Sequence, residues 1–165
     1  MLFRSAWQPD VLAATRGDAT FLFCLALATS VLVAVGMLDD RFGLRGRQKL
    51  AGQVLAALIM VPSGIEIQNI TIFGQPVTLG VFSLVFTVFW IVGAINALNL
   101  IDGVDGLAST TGVVLSLSVA AVTFLQQGRN DGLLIALALA GGLLGFLVYN
   151  FPPARMFLGD SGSML

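Results

Sequence analysis

The chain has 165 residues, of which 57% are hydrophobic and 10% charged, with a mean hydropathy of +0.95. Soluble domains carry roughly 25% charged residues, so this composition excludes an ordinary soluble enzyme, and its apolar richness and single cysteine exclude disorder and a disulfide scaffold. The net charge of -1 gives no electrostatic case for nucleic-acid binding, and the absence of histidine removes the commonest general base and zinc ligand.

Residues 1–18 lack an apolar stretch long enough for a cleavable leader, because Pro9 and Asp10 interrupt it. A crossing needs about 20 mostly apolar residues. The first such run covers 20–38 and stops at Asp39-Asp40; Cys24 sits in its middle as an inert packing residue. A second, short run spans 48–62 and ends at Pro62-Ser63-Gly64. Between 63 and 78, Ile65, Ile67, Ile70 and Ile72 alternate with polar residues before Gly74-Gln75-Pro76, which predicts a small hairpin outside the bilayer. Further spans are expected at 79–98, 107–125 and 133–149, with a turn at 126–132 and a truncated sixth span opening at Met164. In the fifth span, Gly141 and Gly145 have the spacing of a close helix-packing face. The fold class is therefore an all-α polytopic membrane protein of five spans, a single membrane domain without a soluble one.

Arg41, Arg45, Arg47 and Lys49 follow the first span and Arg155 follows the fifth, against Arg4, Arg16 and Arg129 on the other side. The positive-inside rule then puts loops 39–47, 99–106 and 150–163 in the cytoplasm. Parity gathers Asp39, Asp40, Asp102, Asp105 and Asp160 on that one surface. Adjacent carboxylates at a helix C-terminus oppose the helix dipole, so Asp39-Asp40 calls for a cation, either the nearby arginines or a metal.

Asn96, Asn99, Asp102 and Asp105 recur every third residue, and on a continuous helix they would fan around half its circumference. Gly103 and Gly106 predict a break near Asp102 that lets the chain wrap a small ligand. Gly159-Asp160-Ser161-Gly162-Ser163 reads as a glycine-rich turn entering a helix, with Ser161 or Ser163 as its cap and free N–H groups suited to phosphate. Carboxylates and amides without histidine or a cytoplasmic cysteine suit a hard cation, and magnesium takes one or two carboxylates plus substrate phosphates. The basic loop offers a positive wall for a polyphosphate. Transport carboxylates instead lie near the bilayer midplane, where these spans carry none.

The stretches Val35–Leu44 (with Asp39-Asp40), Lys49–Gln53, Asn96–Leu107 and Phe157–Ser163 resemble, in order and spacing, the polyprenyl-phosphate N-acetylhexosamine-1-phosphate transferases. The resemblance is strongest to the branch using UDP-N-acetylglucosamine. The branch using UDP-N-acetylmuramoyl-pentapeptide usually has lysine three residues after the second aspartate, where this chain has Gly43. The resemblance implies magnesium-dependent transfer of a sugar-1-phosphate from the UDP-sugar to undecaprenyl phosphate, releasing UMP, in a bacterial inner membrane with a cytoplasmic active face. It is the first membrane step of an envelope polysaccharide, with UDP-N-acetylmuramoyl-pentapeptide phosphotransfer and a noncatalytic membrane protein as alternatives. Asp39, Asp40 and Asp102 are implied as catalytic, Asp39 and Asp40 handling the lipid phosphate with Asp39 as candidate base. Asp102 and Asp160 are implied at the metal. Lys49 is implied on the phosphate side and Asn99 in support of the catalytic loop. Gly103, Asp105, Asn150 and Phe157 align with the family's uridine pocket, Phe157 against uracil. The family has about ten or eleven spans and forms dimers; this chain reads as an internal fragment, expected to be inactive alone.

Overall fold

The computed structural model describes residues 19–125 and 131–165. The expectations for Arg4, Arg16, the N-terminal segment, and Arg129 with most of the 126–132 turn lie outside the described residues. Six α-helices and one hairpin make up the rest: α1 (Ala19–Phe42), α2 (Gly46–Met60), β1 (Asn69–Ile72), β2 (Gln75–Thr78), α3 (Ser83–Ile101), α4 (Leu107–Leu125), α5 (Asp131–Asn150) and α6 (Gly159–Ser163).

Among the described residues four stretches are long and apolar enough to cross a membrane: Thr20–Phe42, Gly80–Ile101, Leu107–Leu125 and Gly132–Asn150. The expected second span is the exception. α2 has 15 residues and continues only as a 3-10 turn, Val61–Ser63, because Pro62 supplies no N–H to extend the α-helix. Fifteen residues rise about 22 Å, short of the ~30 Å hydrocarbon core. Even so, α2 carries the chain back along α1: a Cβ on Gly52 would meet Val35, Ala28, Leu32 and Ala56 share a buried cluster, and Lys49 reaches Asp39. α1 and α3 consequently end on the same side.

The helices run further than the apolar runs. α1 continues through Asp39-Asp40 to Phe42, where Gly43 (φ 64°) breaks it and donates its N–H to the Asp39 carbonyl at 2.8 Å. This is the left-handed terminator that glycine adopts without Cβ cost. α3 absorbs Asn99 and stops at Ile101, so the break falls at Asp102 as the sequence predicts. α4 and α5 form a second antiparallel pair, with Gly112 against Leu143, and Ser109 beside Asn150. The close-packing expectation for Gly141 and Gly145 is not met among the described residues: nothing lies within 4 Å of a Cβ built on either. α5 turns Ala136 and Ala140 inward instead.

The hairpin forms where alternation predicts one, at the end remote from the acids. Ile70 faces Val77 and Ile72 faces Gln75 across a two-residue turn, Phe73-Gly74, with φ of 50° and 80°. Positive φ at both central residues is the turn whose twist matches paired strands.

Candidate functional site

The site assembles at the ends of α1, α3 and α5 and the start of α2, because antiparallel packing brings these ends to one level. Lys49, near the start of α2, is its hub: Nζ lies 2.9 Å from Asp39 Oδ2 and 2.6 Å from Asp160 Oδ1. These are the ion pairs found among the described residues. Asp39 Oδ1 also accepts the Leu44 N–H at 2.7 Å, which folds the short α1–α2 loop over the carboxylate. Asn99, the last polar residue of α3, donates Nδ2 to Asp160 Oδ1 at 2.5 Å and to Ser163 Oγ at 2.7 Å. Residues 111 positions apart are thereby joined in a cluster drawn from four helices, α1, α2, α3 and α6.

Asp40 does something the sequence did not suggest. Its Oδ1 accepts the Asp160 N–H at 2.8 Å, and its Oδ2 accepts the Ser161 N–H at 3.2 Å and the Ser161 hydroxyl at 2.9 Å. A carboxylate from α1 therefore caps α6. Neither Ser161 nor Ser163 is the cap, as Ser163 donates instead to the Gly159 carbonyl at 2.9 Å. The N–H groups expected to meet a phosphate are already paired with Asp40. The fit is close, since a Cβ on Gly36 would lie 2.3 Å from the Ser161 Cα.

The positive wall is also narrower than expected. Arg41 lies over the Phe42 ring, 5.7 Å from its centroid, while Arg45 and Arg47 are exposed. Among the described residues Lys49 is the cation paired with Asp39 and Asp160, while Asp40 is met by backbone N–H groups and the Ser161 hydroxyl. Burial would raise the Asp160 pKa, but hydrogen bonds from Lys49 and Asn99, with the lysine charge, hold it at about 2.

Asp102 is different. It is half-buried, its pKa is pushed up by burial and then by the charges of Asp160 and Asp40, and no hydrogen bond or ion pair reaches it among the described residues. A carboxylate so placed favours the arrival of a cation. Among the described residues no three acids are grouped to hold a metal unaided. An all-oxygen site of one or two carboxylates completed by substrate phosphate and water is nevertheless how magnesium is typically bound, so Asp102 and Asp160 fit it.

A second polar clasp builds the loop beside these acids. Buried Asn150 accepts the Gly106 N–H at 3.1 Å and the Ser109 hydroxyl at 2.7 Å, and donates to the Met156 carbonyl at 2.8 Å. Asp105 accepts the Ala154 N–H at 3.0 Å. Asp105 and Asn150, expected against uridine, thus spend these groups on holding the 151–158 loop, while Gly103 and Phe157 stand exposed to solvent or ligand. Sequence reasoning missed the support beneath: fully buried Gln53 pairs with Asn96, whose Nδ2 lies 2.6 Å from Gln53 Oε1, and Gln53 also reaches Met164 Sδ at 3.5 Å. Its position one turn beyond Lys49 was the available signal.

A bundle of membrane-crossing helices that brings aspartates, a lysine and an asparagine from separate motifs to one end defines a class. The glycosyl transferase family 4 profile matches residues 22–165, and the chain belongs to that family. Among curated relatives, a phospho-N-acetylmuramoyl-pentapeptide-transferase of Streptococcus pneumoniae (strain Hungary19A-6) is 48% identical across 79% of this chain and 42% of its own length. A protein of the same name from Streptococcus mutans serotype c is 43% identical across 93% of this chain and 49% of its own. The chain spans about half the length of the curated relatives it matches.

Proposed function

We propose that the chain contributes the acidic half of the active site of a bacterial phospho-N-acetylmuramoyl-pentapeptide transferase, which moves the sugar-1-phosphate from its UDP carrier to undecaprenyl phosphate and releases UMP. This favours the alternative branch over the N-acetylglucosamine branch that Gly43 suggested. The names carried by relatives 43–48% identical weigh more than one position, and here Gly43 ends α1 with φ 64°, a conformation a lysine would adopt only with strain.

The observation that carries the reading is Asp102, without a side-chain partner among the described residues, beside the Asp39–Lys49–Asp160 cluster. Lys49 holds Asp39 and Asp160 in register and offers the one ammonium of the cluster to incoming phosphate. Asn99 fixes the Asp160 carboxylate, and Asp40 fixes its backbone. Asp102 and Asp160 would hold magnesium, which when bound neutralises charge on the diphosphate. The exposed Phe157 ring offers a stacking face to uracil, on a loop braced by Asn150 and Asp105. The basic residues around α1–α2 and Arg155 support a cytoplasmic orientation of this end in an inner membrane, and a dimer is the assembly proposed from the family.

The test is UMP release by the full-length protein with undecaprenyl phosphate. Turnover of UDP-N-acetylmuramoyl-pentapeptide, stopped by chelation and lowered at least ~10³-fold by Asp102→Asn, is the expected outcome. Turnover of UDP-N-acetylglucosamine instead would restore the other branch. An Asp102→Asn variant at full rate would remove the catalytic reading of this cluster.

A further inference from the structure

The hairpin at the opposite end has no role in the chemistry, yet it is built in an unusual way. Phe73 opens the turn with φ 50°, a left-handed conformation that Gly, Asn or Asp adopts readily and a phenylalanine does not. Its ring is fully exposed, so the chain receives no internal contact in return. Both strands are almost entirely exposed on both faces; Ile72 stands open beside the tip, and Val77, Val81 and Phe82 stand open toward the root. Two strands with open edges and no covering layer are marginal in water, and edges facing water are normally guarded by charge. Here no Asp, Glu, Lys or Arg occurs from Ile67 to Ile101.

The root of the hairpin fixes its depth. The Ile67 N–H is accepted by Thr87 Oγ1 at 2.8 Å, and the Ile67 carbonyl receives the Ser83 hydroxyl at 2.6 Å. Ser83 and Thr87 are buried, and they lie in the first turns of the membrane-crossing stretch that starts at Gly80. The strands therefore leave the protein at the level of the first turns of that apolar stretch. Phe82 and Val81, at the start of the same stretch, continue the apolar surface directly onto the lipid-facing side of α3.

We infer that the hairpin is an interfacial anchor: its Phe73 tip, with Ile72, Val81 and Phe82, inserts into the headgroup–acyl boundary of the leaflet opposite the acidic site. An aromatic ring at that level is favoured because its apolar body leaves water while neighbouring amides stay hydrated. The segment carries no charge, so insertion depends on apolar burial and not on lipid headgroup charge.

The full-length protein carrying Phe73→Cys with Cys24→Ser, spin-labelled and placed in phosphatidylcholine vesicles, reads this directly. The label is expected to collide with dissolved oxygen in several-fold preference to a water-soluble nickel chelate, relative to a label at Arg47→Cys. Adding anionic lipid should leave that ratio unchanged. Nickel-dominated collisions would put the tip in water and overturn the inference. An immobilised label reached by neither reagent would mean a second copy or another segment covers it, and would overturn it equally. Phe73→Trp, which keeps an aromatic ring, gives an independent reading: quenching by brominated lipid supports insertion, and quenching by iodide refutes it.

Discussion

Gly36→Ala is the most stringent test of the way the site is assembled. The new methyl would lie 2.3 Å from the Ser161 Cα and 2.6 Å from its N, both backbone atoms that cannot rotate aside. Ordinary carbon contact is ~3.5 Å, so α6 must withdraw by roughly 1.2 Å. The Asp160 and Ser161 bonds to Asp40, now 2.8–3.2 Å, would stretch to about 4 Å, beyond hydrogen-bonding range. The Lys49 and Asn99 contacts to Asp160 would be displaced with them. Overpacking of this kind costs about 1–3 kcal/mol, and a misplacement near 1 Å at reacting groups can cost about 10²-fold in rate. The assay is UMP release by the full-length protein, with thermal unfolding alongside. Gly93→Ala is the control: nothing lies within 4 Å of its Cβ, so it should be neutral or slightly stabilising. A Gly36→Ala protein with unchanged rate and melting temperature would refute the docking of α6 on α1.

Three further outcomes are expected. Lys49→Met should lower the melting temperature, because Asp39 and Asp160 lose their shared partner; side chains left 10–31% accessible by the pair geometry put the loss near 2 kcal/mol, between exposed and buried pairs. A melting temperature unchanged by Lys49→Met would mean that the bridge contributes nothing. Asn150→Ala removes a 3%-exposed amide with three hydrogen-bonded neighbours, at a cost of about 2–3 kcal/mol. Freeing the Phe157 loop should raise KM for the UDP-sugar more than it lowers kcat, and the opposite split would move Asn150 into the chemistry. Gln53→Leu should cost about 1 kcal/mol, since Asn96 keeps its 2.8 Å bond to the Val92 carbonyl; a loss several times larger would show the pair to be a keystone of the bundle.

Membrane-crossing helices, their shared acidic end, the hairpin and the break at Asp102 were all legible in the sequence. Each is a local property: twenty apolar residues must be helical in lipid, alternation makes strands, and glycines release a helix. Boundaries were less legible, because hydropathy stops at Asp39 while backbone hydrogen bonding continues to Phe42. The second helix ends where the sequence placed its end, at Pro62, but starts two residues earlier, at Gly46, and is too short to cross as a straight α-helix.

What only the tertiary structure decided is the division of labour among the acids. Asp39 and Asp40 are neighbours in the chain, yet one meets a lysine and the other caps α6, because their side chains leave the helix about 100° apart. Nothing in residues 35–44 foretells that Gly36 faces Ser161, or that the N–H groups of residues 160 and 161 are already taken. Such pairings depend on which faces of separate helices meet, and that is set by the packing of the whole bundle. The sequence determined which residues reach one end of the membrane domain; helix packing determined which of them hold the site together and which, Asp102 above all, have no partner among the described residues.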